Sequence, residues 1–199
     1  MKPRPAINPG SLIWSGEHWL NYIGNPSKEK HFGMVSLYLT RYSPAGEGHV
    51  AFVHIVSEKT LKAICSDNPK VAAFIYHHMI KGKVKFFDQD LPLVEARFRR
   101  EGDIREVPGW VIETPEDRIT ATWLALQPPL VVEGFAPVFS EKYDFFTVLF
   151  FAEDASLSLN GRPLPGKPYL RNIWHRSIGG DRSSCVIALA ETMIEVQGH

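Results

Sequence analysis

From Pro92 to the C-terminus, short runs that alternate apolar and polar residues are cut at near-regular intervals by Pro, Gly or Asn-Gly. A two-residue period marks strands with one buried face, so this half of the chain predicts a β-meander. Strands are predicted near Leu93 to Arg100, Gly109 to Glu113, Arg118 to Leu126, Leu130 to Phe135, Phe145 to Ala152, Ala155 to Leu159, Tyr169 to Trp174 and Ser184 to Val196. Val94, Ala96 and Phe98 share a face against Glu95, Arg97 and Arg99, and Ile119, Ala121 and Trp123 stand against Thr120 and Thr122. Phe145 to Ala152 is apolar on both faces, as a central strand covered twice would be. Asn160-Gly161 marks a two-residue hairpin, because both residue types tolerate positive φ. The last segment has helical composition as well as strand alternation, and both readings stand at this point.

The first half is less regular. Residues 1 to 30 hold too many Pro and Gly breakers for a long helix, yet Trp14, Trp19, Leu20 and Tyr22 are costly to leave in water. They predict an arm packed on the body, with short strands around Leu12 to Trp14 and Trp19 to Ile23. Gly33 to Tyr42 and His49 to Val56 read as a hairpin. Its first strand sets Val35, Leu37 and Leu39 against Ser36, Tyr38 and Thr40. A short helix is expected from a Ser57 cap to Cys65. A longer one starts at Asn68-Pro69, with Val71, Phe74, Ile75, His78 and Met79 on one side and Gly82 as its left-handed end.

Eight or more short strands must hide their open edges, and closure into a barrel does so. The expected fold is therefore mainly β: one domain over residues 1–199, an antiparallel barrel with a helix pair near residues 57–82 covering one end. A chain of 199 residues suits one such domain. Lys plus Arg and Asp plus Glu are both 22, so no basic surplus draws the chain to nucleic acid or an anionic bilayer. The N-terminus lacks a secretory apolar stretch, and the longest apolar run, Phe145 to Ala152, is too short for a span. Cys65 and Cys185 lie among apolar neighbours in no metal or disulfide spacing. Together these features predict a soluble cytoplasmic protein with buried free thiols.

Candidate chemistry is sparse. No nucleophile elbow, His-x-x-x-His or Cys-x-x-Cys is present, and no metal or cofactor is expected from motifs. A thiolate nucleophile served by His175 or His54 would need nearby stabilisation of the anion. The Ser177 to Ser184 loop, with two glycines and Arg182, reads as a polar turn before it reads as a phosphate cradle. Adjacent His77 and His78 point about 100° apart on a helix and suit one metal poorly. Glu191 sits inside a long apolar stretch, where an unpaired carboxylate resists ionising, and Glu95 poses a milder version of the question. If both enter the barrel near Arg97, Arg171 or His175, they form a polar spot for proton transfer or for gripping a ligand. An offset of one residue turns them outward instead. Trp110, Trp123 and Trp174, in separate predicted strands, supply aromatic walls for an apolar pocket.

Many antiparallel strands with a small helical element resemble the lipocalin-like barrels. The resemblance implies a barrel holding one small, largely apolar molecule, with an isomerase, cyclase or lyase as the enzymatic alternative, Glu191 being its general acid or base. Lipocalins carry Gly-x-Trp near the first strand. Here Gly10 precedes Trp14 and Gly16 precedes Trp19 at other spacings, so no family residue is carried over. Lys59 followed by Asn68-Pro69 resembles the flavin-binding split barrels, which implies a flavin as a further alternative. The expected partner is a small molecule, and a homo-oligomer is compatible with the pattern.

Overall fold

The computed structural model describes residues 10–25, 30–136, 140–174 and 178–196. In chain order the strands are β1 Gly10–Asn25, β2 Lys30–Tyr42, β3 Gly48–Val56, β4 Thr60–Ser66, β5 Leu93–Glu95, β6 Arg97–Glu101, β7 Gly109–Glu113 and β8 Arg118–Leu126. They continue with β9 Leu130–Ala136, β10 Ser140–Leu159, β11 Arg162–Pro163, β12 Leu170–Arg171, β13 Arg182–Ser183 and β14 Val186–Val196. One sheet runs β5-β4-β3-β2-β1-β14-β10-β8-β7-β6, with β9 and β11 alongside β10. Its two ends are consecutive in sequence. Residues 93–95 pair with β4, residues 97–101 pair with β7, and Ala96 between them is 3% exposed. The chain itself therefore crosses from one edge of the sheet to the other and brings the barrel nearly to closure, which leaves few unpaired edge groups.

The predicted alternation aims side chains as expected in most strands. Val35, Leu37 and Leu39 of β2, Ala51, Val53 and Ile55 of β3, and Ile119, Ala121 and Trp123 of β8 all enter one lumen core. Trp19 stands edge-on to both Trp110 and Trp123, at centroid distances of 5.9 and 5.1 Å. Polar side chains brace this core. Asn21, fully buried, donates from Nδ2 to the carbonyls of Thr122 and Ser156, both at 3.1 Å. Trp123 donates its indole N–H to the Leu20 carbonyl at 2.7 Å.

A second core lies outside the barrel wall. Trp14, Tyr38, Val50, Phe52, Phe145, Phe151 and Met193 point outward and are covered by Val71, Ile75, Met79 and Phe87. The cover begins with helix α1, Pro69–Ile75, capped by Asn68, whose side chain accepts from the Lys70 and Val71 amides. One π-helical turn, Tyr76–Ile80, follows, and Gly82 takes φ +72° beyond it. Because this face is covered too, Ser36, Tyr38 and Thr40 of β2 are buried, although alternation alone would leave them in water.

Four expectations change. The predicted Ser57 to Cys65 helix is strand β4: Ala63 and Cys65 face the lumen, and pairing with β3 along residues 60–66 outweighs the local helical spacing. There is accordingly no helix pair, and the remaining helical segment lies on the outer wall of the barrel, because its apolar side has Val50 and Phe52 to bury against. Of the predicted N-terminal arm, residues 10–25 form a full stave, β1, paired with β2 and β14. Breakers inside it mark bulges. A Cβ on Gly16 would collide with the Leu39 carbonyl oxygen, so the glycine admits the close approach of β2. Finally, Phe145 to Ala152 and Ala155 to Leu159 fuse into β10, while the C-terminal segment is the strand β14, as its alternation predicts.

Replacing Asn21 by Ala leaves two interior carbonyls without their shared donor. We expect a loss of about 2 kcal/mol in urea-induced unfolding, with an unchanged far-UV spectrum. A loss below about 0.5 kcal/mol would show that the brace is dispensable.

Candidate functional site

The change of partner at Ala96 opens a wedge in the wall. β5 pairs with β4 and β6 with β7, and a groove of about 590 Å³ lies between residues 95–97 and residues 113–118. Glu95, Arg97, Glu113, Asp117, Arg118 and Asn160 line it. Asp117, buried, is committed to structure: it accepts from Asn160 Nδ2 at 2.9 Å and lies 3.7 Å from Lys59 Nζ, and its amide donates to Thr114 Oγ1. Arg118 Nε lies 3.8 Å from Glu113. Glu95 at the end of β5 and Arg97 at the start of β6, on either side of Ala96, are both exposed, and neither makes an ion pair among the described residues. They carry opposite charges into the same groove.

Glu191 stands elsewhere. Ile187 and Leu189 face the lumen, and unbroken alternation would place Glu191 with them. Ala190 breaks it: at φ +50° it bulges out of register with β1 and β10, which moves Glu191 to the side of Met193, in the outer core. The residue is 8% exposed, and burial lifts its carboxyl to about 8, with the Thr147 hydroxyl acting in the opposite direction. Tyr38 lies on the same outer face. Its phenol is pushed well above the ordinary range by burial, with Tyr22 and Glu191 adding to the effect and Ser36 opposing it. His18 stacks on Tyr38 at a centroid distance of 4.0 Å, and its Nε2 lies 2.9 Å from Ser36 Oγ. Burial, then Arg171, hold that imidazole down to about 3. At neutral pH the cluster is uncharged at both ends, a protonated Glu191 and a neutral His18.

A third polar cluster, missed in the sequence, closes one mouth of the lumen. Glu17 accepts from the Trp19 indole at 2.9 Å and pairs with Arg100, whose guanidinium lies over Trp19 and Trp110 at 5.1 and 4.9 Å. His49 is stacked on Phe98 at 5.0 Å, and Asp67 holds its Nδ1 at 2.6 Å. Eighteen residues separate His49 from Asp67, and only the pairing of β3 with β4 joins them. The one local hint is Gly48: a Cβ there would stand 2.8 Å from Asp67 Oδ1, so the glycine leaves room for the carboxylate.

The predicted site residues therefore disperse. Glu95 and Arg97 share the seam groove. Trp110 and Trp123 meet in the lumen core, 3% and 0% exposed. Arg171 lies over the Tyr22 ring at 5.2 Å, on the outer face. Trp174 ends a short 3₁₀ turn, Asn172–Trp174, and His175 lies outside the described residues. Both cysteines are buried and are lifted to about 12 by that burial, far from a reactive thiolate at neutral pH.

No family model matches the chain, and no curated protein or solved structure is significantly similar to it.

Proposed function

We propose that this protein is a binding barrel, lipocalin-like in outline, that takes a small molecule in the seam groove rather than in the lumen. The observation that carries the reading is the groove of about 590 Å³ with Glu95 and Arg97 on either side of Ala96, without ion-pair partners among the described residues. Its volume falls within the roughly 300–1,000 Å³ of small-ligand sites. The lumen is occupied by Trp19, Trp110 and Trp123, which argues against the largely apolar occupant expected from composition. Opposite charges side by side suit a small zwitterion: the guanidinium of Arg97 takes a carboxylate, and Glu95 takes an ammonium group.

A second reading keeps Glu191 as a general acid in an isomerase, cyclase or lyase. It is favoured by the lift of its carboxyl to about 8, which keeps a proton available near neutral pH. The flavin alternative has less support, since Lys59 is engaged with Glu116 and Asp117, and Asn68 serves as the cap of α1.

Titration with free amino acids, followed by amide NMR shifts, should perturb residues 95–97 and 113–118 in a saturable way. Arg97→Ala should weaken binding about tenfold, the equivalent of about 1.4 kcal/mol. Methyl esters of the same amino acids should lose the Arg97 contribution. Shifts confined to other surfaces, or none at all, would remove the seam groove as the site.

Glu191 also sets a pH dependence. Its folded pKa lies above that of the unfolded chain, so the native state binds the extra proton, and stability falls as pH rises from about 4.5 to about 8. In Glu191→Gln that component disappears. The difference between wild type and variant, measured by urea unfolding across this interval, should change by a few kcal/mol in favour of the variant at the alkaline end. A flat difference would mean that Glu191 ionises freely.

A further inference from the structure

We propose that His49, positioned by Asp67, is a general base at the mouth of the barrel that hydrolyses a small carboxylate-bearing ester. A second groove, of about 390 Å³ and sharing no lining residue with the first, is formed by Leu39, Thr40, Arg41, Glu47, Gly48, His49, Asp67 and Asn68. Within it, Asp67 grips one residue twice: Oδ1 accepts the His49 backbone N–H at 2.7 Å, and Oδ2 lies 2.6 Å from Nδ1. A carboxylate accepts only, so Nδ1 carries the hydrogen, and in the neutral form of the ring the lone pair lies on Nε2.

The ring has little freedom to turn away. It is stacked within 12° of parallel on Phe98 and meets Trp110 edge-on at 5.5 Å. Its side chain is 24% exposed, and Nε2 has no hydrogen-bond partner among the described residues. An imidazole that lines a groove and has one nitrogen held by a carboxylate is the arrangement general-base catalysis requires. Arg41, in the same groove, makes no ion pair among the described residues and provides the charge that selects a carboxylate on the substrate.

The chemistry balances without a further reactant. Nε2 takes a proton from water as the water oxygen bonds to the ester carbonyl carbon. The tetrahedral intermediate then collapses, the bond from carbon to the alkoxy oxygen breaks, and the imidazolium returns its proton to the departing alkoxide. Histidine is left as it began.

The test compares 4-nitrophenyl hemisuccinate with 4-nitrophenyl butyrate on the full chain. Wild type should hydrolyse the hemisuccinate faster than an equal concentration of free imidazole does, and faster than it hydrolyses the butyrate. His49→Asn keeps an amide N–H at the Nδ1 position for Asp67 but has no Nε2, and it should lower kcat about 100-fold or more. Asp67→Asn should lower kcat with little change in KM, the pattern of a positioning residue, and Arg41→Ala should erase the preference between the two esters. Diethyl pyrocarbonate gives a readout that needs no variant: it should label His49 at Nε2 and abolish turnover in parallel. Hydrolysis no faster than with free imidazole, or full activity in either His49→Asn or the labelled protein, would overturn the proposal.

Discussion

Hydrogen bonds across the lumen are the constraint on which the rest of the structure depends. Asn21 on β1 reaches the carbonyls of Thr122 on β8 and Ser156 on β10, while Trp123 returns its indole N–H to Leu20. Ser184, just before β14, closes the same region by donating its hydroxyl to the Tyr22 carbonyl at 2.6 Å. The donors Asn21, Trp123 and Ser184 are all buried, where an unmet polar group costs more than a met one contributes. The opposite walls are thus held close together, and the space between them is filled by aromatic rings. A barrel built this way is a core and not a container, and its two grooves lie at the seam and beside His49.

Closure and opening share one cause. Because the edge strands are successive residues of the same chain, the wall is sealed at Ala96 by a covalent bond and not by a ladder. Immediately beyond it no ladder joins β5 to β7, and the wall gapes. Polar residues are tolerated there because water reaches them: Glu95 and Arg97 are both exposed. The outer core works the opposite way. It removes Glu191 and His18 from water, and each relaxes to its neutral form. The same residue types thus play different parts according to the solvent they meet.

Bulges and glycines adjust these positions by single residues. Ala190 spends backbone strain in the left-handed region to move Glu191 from one core to the other. Gly48, by lacking a Cβ, lets Asp67 come within reach of His49. Neither changes the fold, yet each decides which side chains face one another.

The sequence by itself determined the elements whose cause is local. The two-residue period of β2 and β8, the Asn68-Pro69 helix start and the Asn160-Gly161 hairpin depend only on neighbouring residues, and each is found where the pattern places it. Tertiary structure decided the rest. Thr60 to Ser66 became a strand because β3 offered a ladder; the helix settled on the outer wall because Phe52 and Val50 awaited cover; and Glu191 left the lumen because a single inserted residue inverts every facing after it. The mouth cluster was illegible for the same reason. Glu17 with Arg100, and His49 with Asp67, are remote in sequence, and attraction between charges acts only once the ladders have brought them together.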